Sequence, residues 1–575
     1  MIFASAAGVV LGGVLWLAGA VSALVSGHRV PPGRRLAGFI AFAHLGDPSA
    51  AWRAPVGPPV VYWTITCAVL ILVGGVVRLL RRFFDGDARP DSGSSSVVEG
   101  LAGRKQVARF AGEKALLARA STLRPSIVRP SPTDVGYRLG HSHGEPCWAS
   151  VEDSILLLGP PRSGKGASVV IPMILDAPGP VVTTSTRPDN LAVTLARRAG
   201  RGPVAVFDPQ GLAQDRGVSR SLRWSLVRGC ERPQTAMLRA EALVADSRRA
   251  GVENGTFWRQ QTVAAVRCML HAAALDGRPP ADLYRWSHAA AGAKEAVAIL
   301  ARDPQATPGW DRALDAIICA DQRTRDSIWA MVANTFAPLA DPAVMAAISP
   351  ADGEEFDPAS FLRGDGTLYL LGTASGATAT ASLVAALVED VVDVAKRLAA
   401  VAPGSRLDPP LALLLDEAAN YPLPSLPSLM SEGGGSGITT LAVLQSLAQA
   451  RDRWGREAAG AIWDSAIVKM VLGGSANAED LAGISRLVGE REVREVTRTH
   501  GDRPGGSSVS VTARRRPILD PSAIRQIPFG EGLLLLRSAP PIMMSLTPWT
   551  SRRDAGRLVE ARRAFEAAMR RGGDA

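Results

Sequence analysis

The residues best suited to do chemistry begin at Gly159, in the run Gly159-Pro160-Pro161-Arg162-Ser163-Gly164-Lys165-Gly166-Ala167. Glycines in such a loop let backbone N–H groups curl around phosphate oxygens, and a following helix adds the favourable end of its dipole. Just upstream, the apolar Ile155–Leu158 reads as a short buried strand, and residues 167–175 read as a helix. Strand, glycine-bounded loop ending in lysine, and helix together make the arrangement of a P-loop. Lys165 would reach the β- and γ-phosphates of ATP. It is one of only six lysines among 64 basic residues, so its presence here runs against the chain's own preference for arginine. Position 166 departs from the general pattern, because the hydroxyl residue that usually binds Mg²⁺ is replaced by glycine. Three readings stay open: the metal is held through water and Asp416, Ser168 substitutes from the next turn, or hydrolysis is impaired.

A second candidate lies some 250 residues on. Leu411–Leu415 is an apolar run ending in Asp416-Glu417, which suggests a buried parallel strand with two carboxylates at its C-terminal edge. Ligands of open α/β sheets sit at that edge. Asp416 would organise Mg²⁺, and Glu417 would polarise the attacking water. Further strand candidates are 180–184, Val204–Phe207, Thr367–Leu371, 466–472, 532–536 and 439–444, the last followed by Gln445. A polar residue just past a core strand beside the acidic one suits a γ-phosphate sensor, and Gln445 is assigned that role.

These pieces need a scaffold, and 575 residues supply one large domain, a smaller one and a leader. With 47% hydrophobic and 21% charged residues, wholesale disorder is excluded. The net charge of +10 suits contact with phosphate backbones or anionic lipid and proves neither. Five cysteines without CxxC or Cys/His spacing argue against a zinc site or a disulfide framework and fit a reducing cytosol. Residues 2–25 carry no charge, and residues 60–77 form a second uncharged stretch, each long enough for a membrane span. Arg78, Arg81 and Arg82 favour a cytoplasmic bulk, although Arg29, Arg34, Arg35 and Arg53 make the intervening loop basic too. Residues 85–100 read as a polar linker and 101–121 as an amphipathic helix.

Taken together, the runs at 159–175, 206–211 (VFDPQG), 223–226 (RWSL) and 413–455, with the two apolar stretches, resemble the type IV secretion coupling proteins. These are the TraG/TraD-like family of conjugative DNA-transfer ATPases. The resemblance covers most of residues 100–550. It implies an α/β fold, a RecA-like P-loop NTPase core with an inserted small all-α domain and two N-terminal transmembrane helices. It also implies a homo-hexameric ring at the bacterial inner membrane, with the ATPase in the cytoplasm. Single-stranded DNA or a relaxase–DNA complex would pass through that ring to type IV secretion channel components. The organisation expected is a first span at 1–25, an extracytoplasmic loop at 26–59 and a second span at 60–82. A linker and connecting helix follow at 83–145, then the nucleotide-binding domain at 146–255 and 351–550. The all-α insert occupies 256–350 and a basic helical tail 551–575. Since family members often have glycine after the P-loop lysine, Gly166 is less of an anomaly than the general pattern suggests.

One departure from the family bears on rate. The glycine-rich segment at 431–437 lacks the arginine that many members place there for a neighbouring subunit's nucleotide, and Arg451 or Arg453 are nearby substitutes. Trp258 and Trp329 are read as core residues before base-stacking ones, and 490–516 as a projecting hairpin or loop whose arginines could meet phosphates. The alternative function is a membrane docking protein for secretion substrates with weak or no ATPase activity.

Overall fold

The computed structural model describes residues 2–31, 40–84, 99–211, 221–245, 255–372, 380–500 and 507–571. The chain forms two compact units, Met1–Ser96 and Val97–Ala575. In the first, helices Ile2–Val25 and Pro59–Phe84 stand at the two apolar stretches and pack against each other. Between them, Ser22 Oγ donates to Val56 O at 2.7 Å and Trp52 Nε1 to the Tyr62 hydroxyl at 3.1 Å. Among the described residues no helix is long and apolar enough to cross a membrane. The side chains of Arg78, Arg81 and Arg82, loop residues Arg34 and Arg35, and most of the expected linker (85–98) lie outside the described residues.

The second unit is built on one eleven-stranded sheet. Its strands in chain order are β1 (Gly136–Ser142), β2 (Glu145–Ser150), β3 (Ile155–Leu158), β4 (Val181–Ser185), β5 (Val204–Phe207), β6 (Thr367–Leu371), β7 (Leu411–Leu415), β8 (Ile438–Leu444) and β9 (Val468–Val471). The hairpin strands β10 (Glu490–His500) and β11 (Ser507–Pro517) form a separate two-stranded sheet, and β12 (Glu531–Leu536) and β13 (Ile542–Ser545) return to the main one. The spatial order is β2-β1-β13-β12-β9-β3-β8-β7-β4-β6-β5. From β9 to β5 every pairing is parallel, and from β9 to β2 every pairing is antiparallel. The parallel strands at the centre are apolar without alternation, as expected where helices cover both faces. All residues of β3, β6, β7 and β8 are buried.

The expected strands are present, with three additions. β1, β2 and β13 extend the antiparallel side. β1 and β2 join through His143-Gly144, both at positive φ (50° and 78°), as a tight hairpin turn requires. The stretch expected as linker and connecting helix at 83–145 therefore ends inside the sheet. The single helix expected over 101–121 is replaced by Arg104–Phe110, Glu113–Leu117 and Ala120–Leu123. The reason is a contact from β2: the Ala111 carbonyl accepts from Trp148 N at 2.8 Å, which takes it out of the helical ladder. Val107, Leu116 and Leu123 then bury against the antiparallel strands as separate anchors.

Between β5 and β6 the described residues from 255 to 347 contain only helices and turns. Trp329 is core, its Nε1 donating to Trp286 O at 3.3 Å. The run Arg223-Trp224-Ser225-Leu226 fastens this segment to the sheet: Trp224 N donates to Ala347 O at 2.9 Å and Leu226 N to Ile348 O at 3.3 Å. The Trp224 indole donates to Asp390 Oδ2 at 2.9 Å, on helix Ala381–Val401, and Arg239 Nη2 lies 2.8 Å from Asp390 Oδ1. The Arg239 guanidinium also covers the Trp224 ring at 5.0 Å. Asp390→Ala leaves a buried guanidinium without its counter-ion, so it should lower stability by about 3–5 kcal/mol, read from the shift of the urea midpoint. An unchanged midpoint would show that the buried triad carries no weight.

Candidate nucleotide site

The P-loop forms where the sequence puts it. It follows β3 and opens into helical turns, a π-turn over Gly166–Val170 and then helix Ile171–Asp176. Arg162 and Gly164 take positive φ, 63° and 87°, and so bend the loop back over the end of β3. Lys165 Nζ closes it from inside, donating to Gly159 O at 2.6 Å and to Pro160 O at 2.7 Å. Burial lowers the Lys165 pKa, while the charges of Asp416 and Glu417 act to raise it. The lysine and both acids are thus near enough to act on one another's charge.

A single topological fact explains the convergence. β8 pairs with β3 on one side and β7 on the other, with Leu158 opposite Leu444 and Leu415 opposite Ala442. Lys165, Gln445 and Asp416 thus follow three adjacent parallel strands at one edge of the sheet. A cavity of about 290 Å³ opens there, lined by Gly166, Ala167, Thr186, Asn190, Asp416 and Glu417 among others. Gln445 follows β8 directly; its N–H is held by Gln449 Oε1 at 3.2 Å.

Two residues that the sequence reading passed over hold the acids. Asn190 Nδ2 donates to Asp416 Oδ2 at 3.2 Å, and the Thr186 hydroxyl donates to Glu417 Oε2 at 2.7 Å. Asn420 Nδ2 adds a second donor to the same Glu417 oxygen at 2.9 Å. Glu417 itself adopts left-handed backbone, φ 54°, sparsely populated for a glutamate and tolerated because these bonds fix it. The local signal was the polar run Ser185-Thr186-Arg187 at the end of β4, the strand beside β7.

Position separates the two residues raised as partners for Gly166. Ser168 is buried and lines a separate small cavity with Arg138, Gly140 and Arg552, away from the acids. At Gly166, the nearest atom a Cβ would meet is Asn190 Oδ1, at 3.9 Å. Asn190 therefore brings a polar group to the space that a hydroxyl side chain at 166 would enter. Among the described residues no cluster of three or more His, Cys, Asp or Glu could hold a metal by itself. Mg²⁺ does not need one, because it is usually bound by one or two carboxylates with waters and substrate phosphates. Asp416 with Asn190 beside it fits that requirement.

Arg451 Nη2 is tied to the buried Asp480 at 2.9 Å, an ion pair within the chain. Arg187 and Arg562 are the arginines that line the acid pocket. Arg562 comes from helix Ala555–Arg571, expected from sequence as a basic helical tail. Leu558 and Phe565 bury one side of it against helix Asp189–Ala199 and its neighbours. Arg552 locks the approach with two bonds to Asp176, 2.7 and 2.8 Å. The glycine-rich segment 431–437 has a packing role: a side chain at Gly434 would collide with the Glu152 backbone.

Fold and loop together define a RecA-like P-loop NTPase. Two family models match the chain: "Type IV secretory system Conjugative DNA transfer" over residues 105–264 and "TraM recognition site of TraD and TraG" over 410–529. These two matches support a TraG/TraD-like type IV coupling protein. Among solved structures it is similar to the unbound bacterial conjugative coupling protein TrwBdeltaN70. That match has a TM-score of 0.53 and 17% identity, covering 78% of this chain and 94% of that one. The plasmid coupling protein TrwB in complex with ADP and Mg²⁺ matches with a TM-score of 0.52 and 18% identity, over 74% and 91% of the two chains. Its complex with the non-hydrolysable ATP analogue ADPNP gives 0.51 and 18%, over 76% and 93%. At these identities the likeness is one of fold. No curated protein matches the chain.

Desolvation pushes the Asp416 carboxyl up to about 6; Asn190 and Lys165 oppose the rise and Glu417 adds to it. A raised carboxyl pKa favours the fold at low pH, and that contribution is lost as pH rises through about 6. Ionised Asp416 then costs on the order of 2 kcal/mol in the metal-free protein, allowing for the open side of the cavity. Asp416→Asn should therefore raise the urea midpoint at pH 8 without Mg²⁺, with the gain shrinking towards pH 4. A variant less stable than wild type at pH 8 would contradict this.

Proposed function

We propose that the chain is a membrane-anchored ATPase that recruits and pumps single-stranded DNA or a relaxase–DNA complex into a type IV secretion channel. The observation that carries the reading is the meeting of Asp416 and Glu417 with the P-loop residues Gly166 and Ala167 at one cavity, with Lys165 near enough for both acids to act on its charge. ATP would lie on the backbone amides from Gly159 to Ala167, with Lys165 leaving its two loop carbonyls for the phosphates. Asp416, flanked by Asn190, would carry Mg²⁺, which offsets charge on the β- and γ-phosphates when bound. Glu417 has one oxygen held by Thr186 and Asn420, which leaves the other to accept a proton from water. Gln445, between loop and acids, senses the γ-phosphate. The homologous TrwB complexes with ADP and Mg²⁺ and with ADPNP support nucleotide use.

Membrane attachment is inferred from the sequence, where residues 2–25 and 60–77 are uncharged over lengths that suit a bilayer core, although no helix among the described residues is long and apolar enough to be a span. The inner membrane, with the ATPase unit in the cytoplasm, follows from the family and from where ATP is found. A homo-hexameric ring would give the DNA a path and let Arg187, Arg562 or a neighbouring subunit's arginine answer the phosphate charge. The helices at 256–350 form the inserted domain of this reading, and the β10–β11 hairpin, carrying Arg514, Arg515 and Arg516, is a phosphate-contacting element.

Steady-state ATP hydrolysis by the full chain, with and without single-stranded DNA, tests the motor. Hydrolysis stimulated by DNA and abolished in Lys165→Ala is expected. Wild-type activity no higher than that variant's, in a folded and assembled protein, would favour a docking protein without a working ATPase. Within an active enzyme, Thr186→Val should lower kcat about tenfold at little change in KM, given the worth of a hydrogen bond to a charged group. Thr186→Ser should keep most of the rate; equal loss in both variants would mean the hydroxyl does not orient Glu417.

A further inference from the structure

Phe529 is 80% exposed, at odds with the burial a large aromatic normally finds. It is not on a loose strand end. Glu531 N donates to Pro528 O at 3.1 Å across a four-residue turn, and Gly530 at the third position has φ 87°. Those are the marks of a type II turn, in which only glycine is comfortable at that place. The turn is fastened on both sides: Leu546 N donates to Gly530 O at 2.7 Å and Gly474 N to Arg525 O at 2.8 Å, while Ile527 beside it is buried. A fixed turn thus holds an aromatic ring in the open.

The ring's neighbour gives the reason. A Cβ built on Gly164, the P-loop glycine before Lys165, would meet Phe529 Cε2 at 3.2 Å and Cζ at 3.3 Å. The ring stands in contact with the phosphate cradle itself. It also arrives from the side away from the acids. β3 has β8 and then β7 on one flank, and β9 followed by β12, whose first residue is Glu531, on the other. A triphosphate on the cradle directs its terminal phosphate toward Lys165, Asp416 and Glu417, so its nucleoside leaves on the opposite flank. That is where the ring stands.

We propose that Phe529 is the stacking platform for the base of the nucleotide bound at the P-loop. This rests on the reading of the cradle as a nucleotide site, and it adds a base subsite to it. Every base has a π-face, so a lone ring with no polar partner stabilises adenine and guanine alike. The nucleotide's affinity therefore comes in two separable parts, phosphate contacts from the loop and stacking from the turn.

The test compares ATP, GTP and inorganic tripolyphosphate binding to the full chain by calorimetry in Mg²⁺, for wild type, Phe529→Ala and Phe529→Trp. Loss of one stacked base corresponds to roughly 5- to 150-fold in affinity. Phe529→Ala should weaken ATP and GTP by at least about fivefold each while tripolyphosphate binding holds, and Phe529→Trp should keep or improve nucleotide affinity. The proposal is overturned if Phe529→Ala leaves ATP affinity unchanged, including the case in which only self-assembly changes and the ring proves a contact between copies. Equal weakening of ATP and tripolyphosphate also overturns it, since the turn would then only brace the loop. Absence of ATP binding in wild type would instead bring down the nucleotide site as a whole.

Discussion

The parallel pairing of β3, β8 and β7 is the constraint on which the other parts of the site depend. These strands are buried on both faces, so a shift in register would move several apolar side chains and break a ladder of buried hydrogen bonds. With Leu158 opposite Leu444 and Leu415 opposite Ala442, the P-loop, Gln445 and the acid pair follow neighbouring strand ends. Nothing in the loop has to search for the acids, because the sheet delivers them. Once there, Lys165 and the two carboxylates act on each other's charge, which makes the edge of the sheet an electrostatic site as well as a geometric one.

A second layer holds the acids in their directions. Thr186 and Asn190 both lie on the short path from β4 into helix Asp189–Ala199, and between them they bond Glu417 and Asp416. The C-terminal helix Ala555–Arg571 packs on that same helix and contributes Arg562 to the cavity. A movement of the C-terminal helix is therefore one helix removed from the two carboxylates. On the opposite flank, the turn carrying Phe529 touches the loop at Gly164. The P-loop is thus bordered by two elements from the last part of the chain.

The helical segment joins this core by a small number of strong links. Trp224, Arg239 and Asp390 form a buried set in which the indole, the guanidinium and the carboxylate satisfy one another. The motif at 223–226, part of the family resemblance, has its explanation there as a fastening and not as a ligand site. Likewise the glycines of 431–437 are explained at Gly434 by close approach to the Glu152 backbone, where the family often uses the segment to carry an arginine.

The sequence by itself determined the P-loop, the acid pair, Gln445 and most of the parallel strands, because each is written in contiguous residues. A buried parallel strand has to be apolar throughout, and a phosphate loop has to have its glycines and lysine in order, whatever surrounds them. It missed β1, β2 and β13, whose mixed composition becomes strand only through an existing edge to pair with. It missed the breaks in 101–121, since the Ala111 carbonyl leaves the helix only when Trp148 is there to donate to it. Asn190 and Thr186, Arg562 and Phe529 lie up to about 400 residues from the loop they serve, in stretches with no pattern of their own. Their roles exist only once helices and turns from distant parts of the chain close on one edge of the sheet. Tertiary packing alone decides such distances.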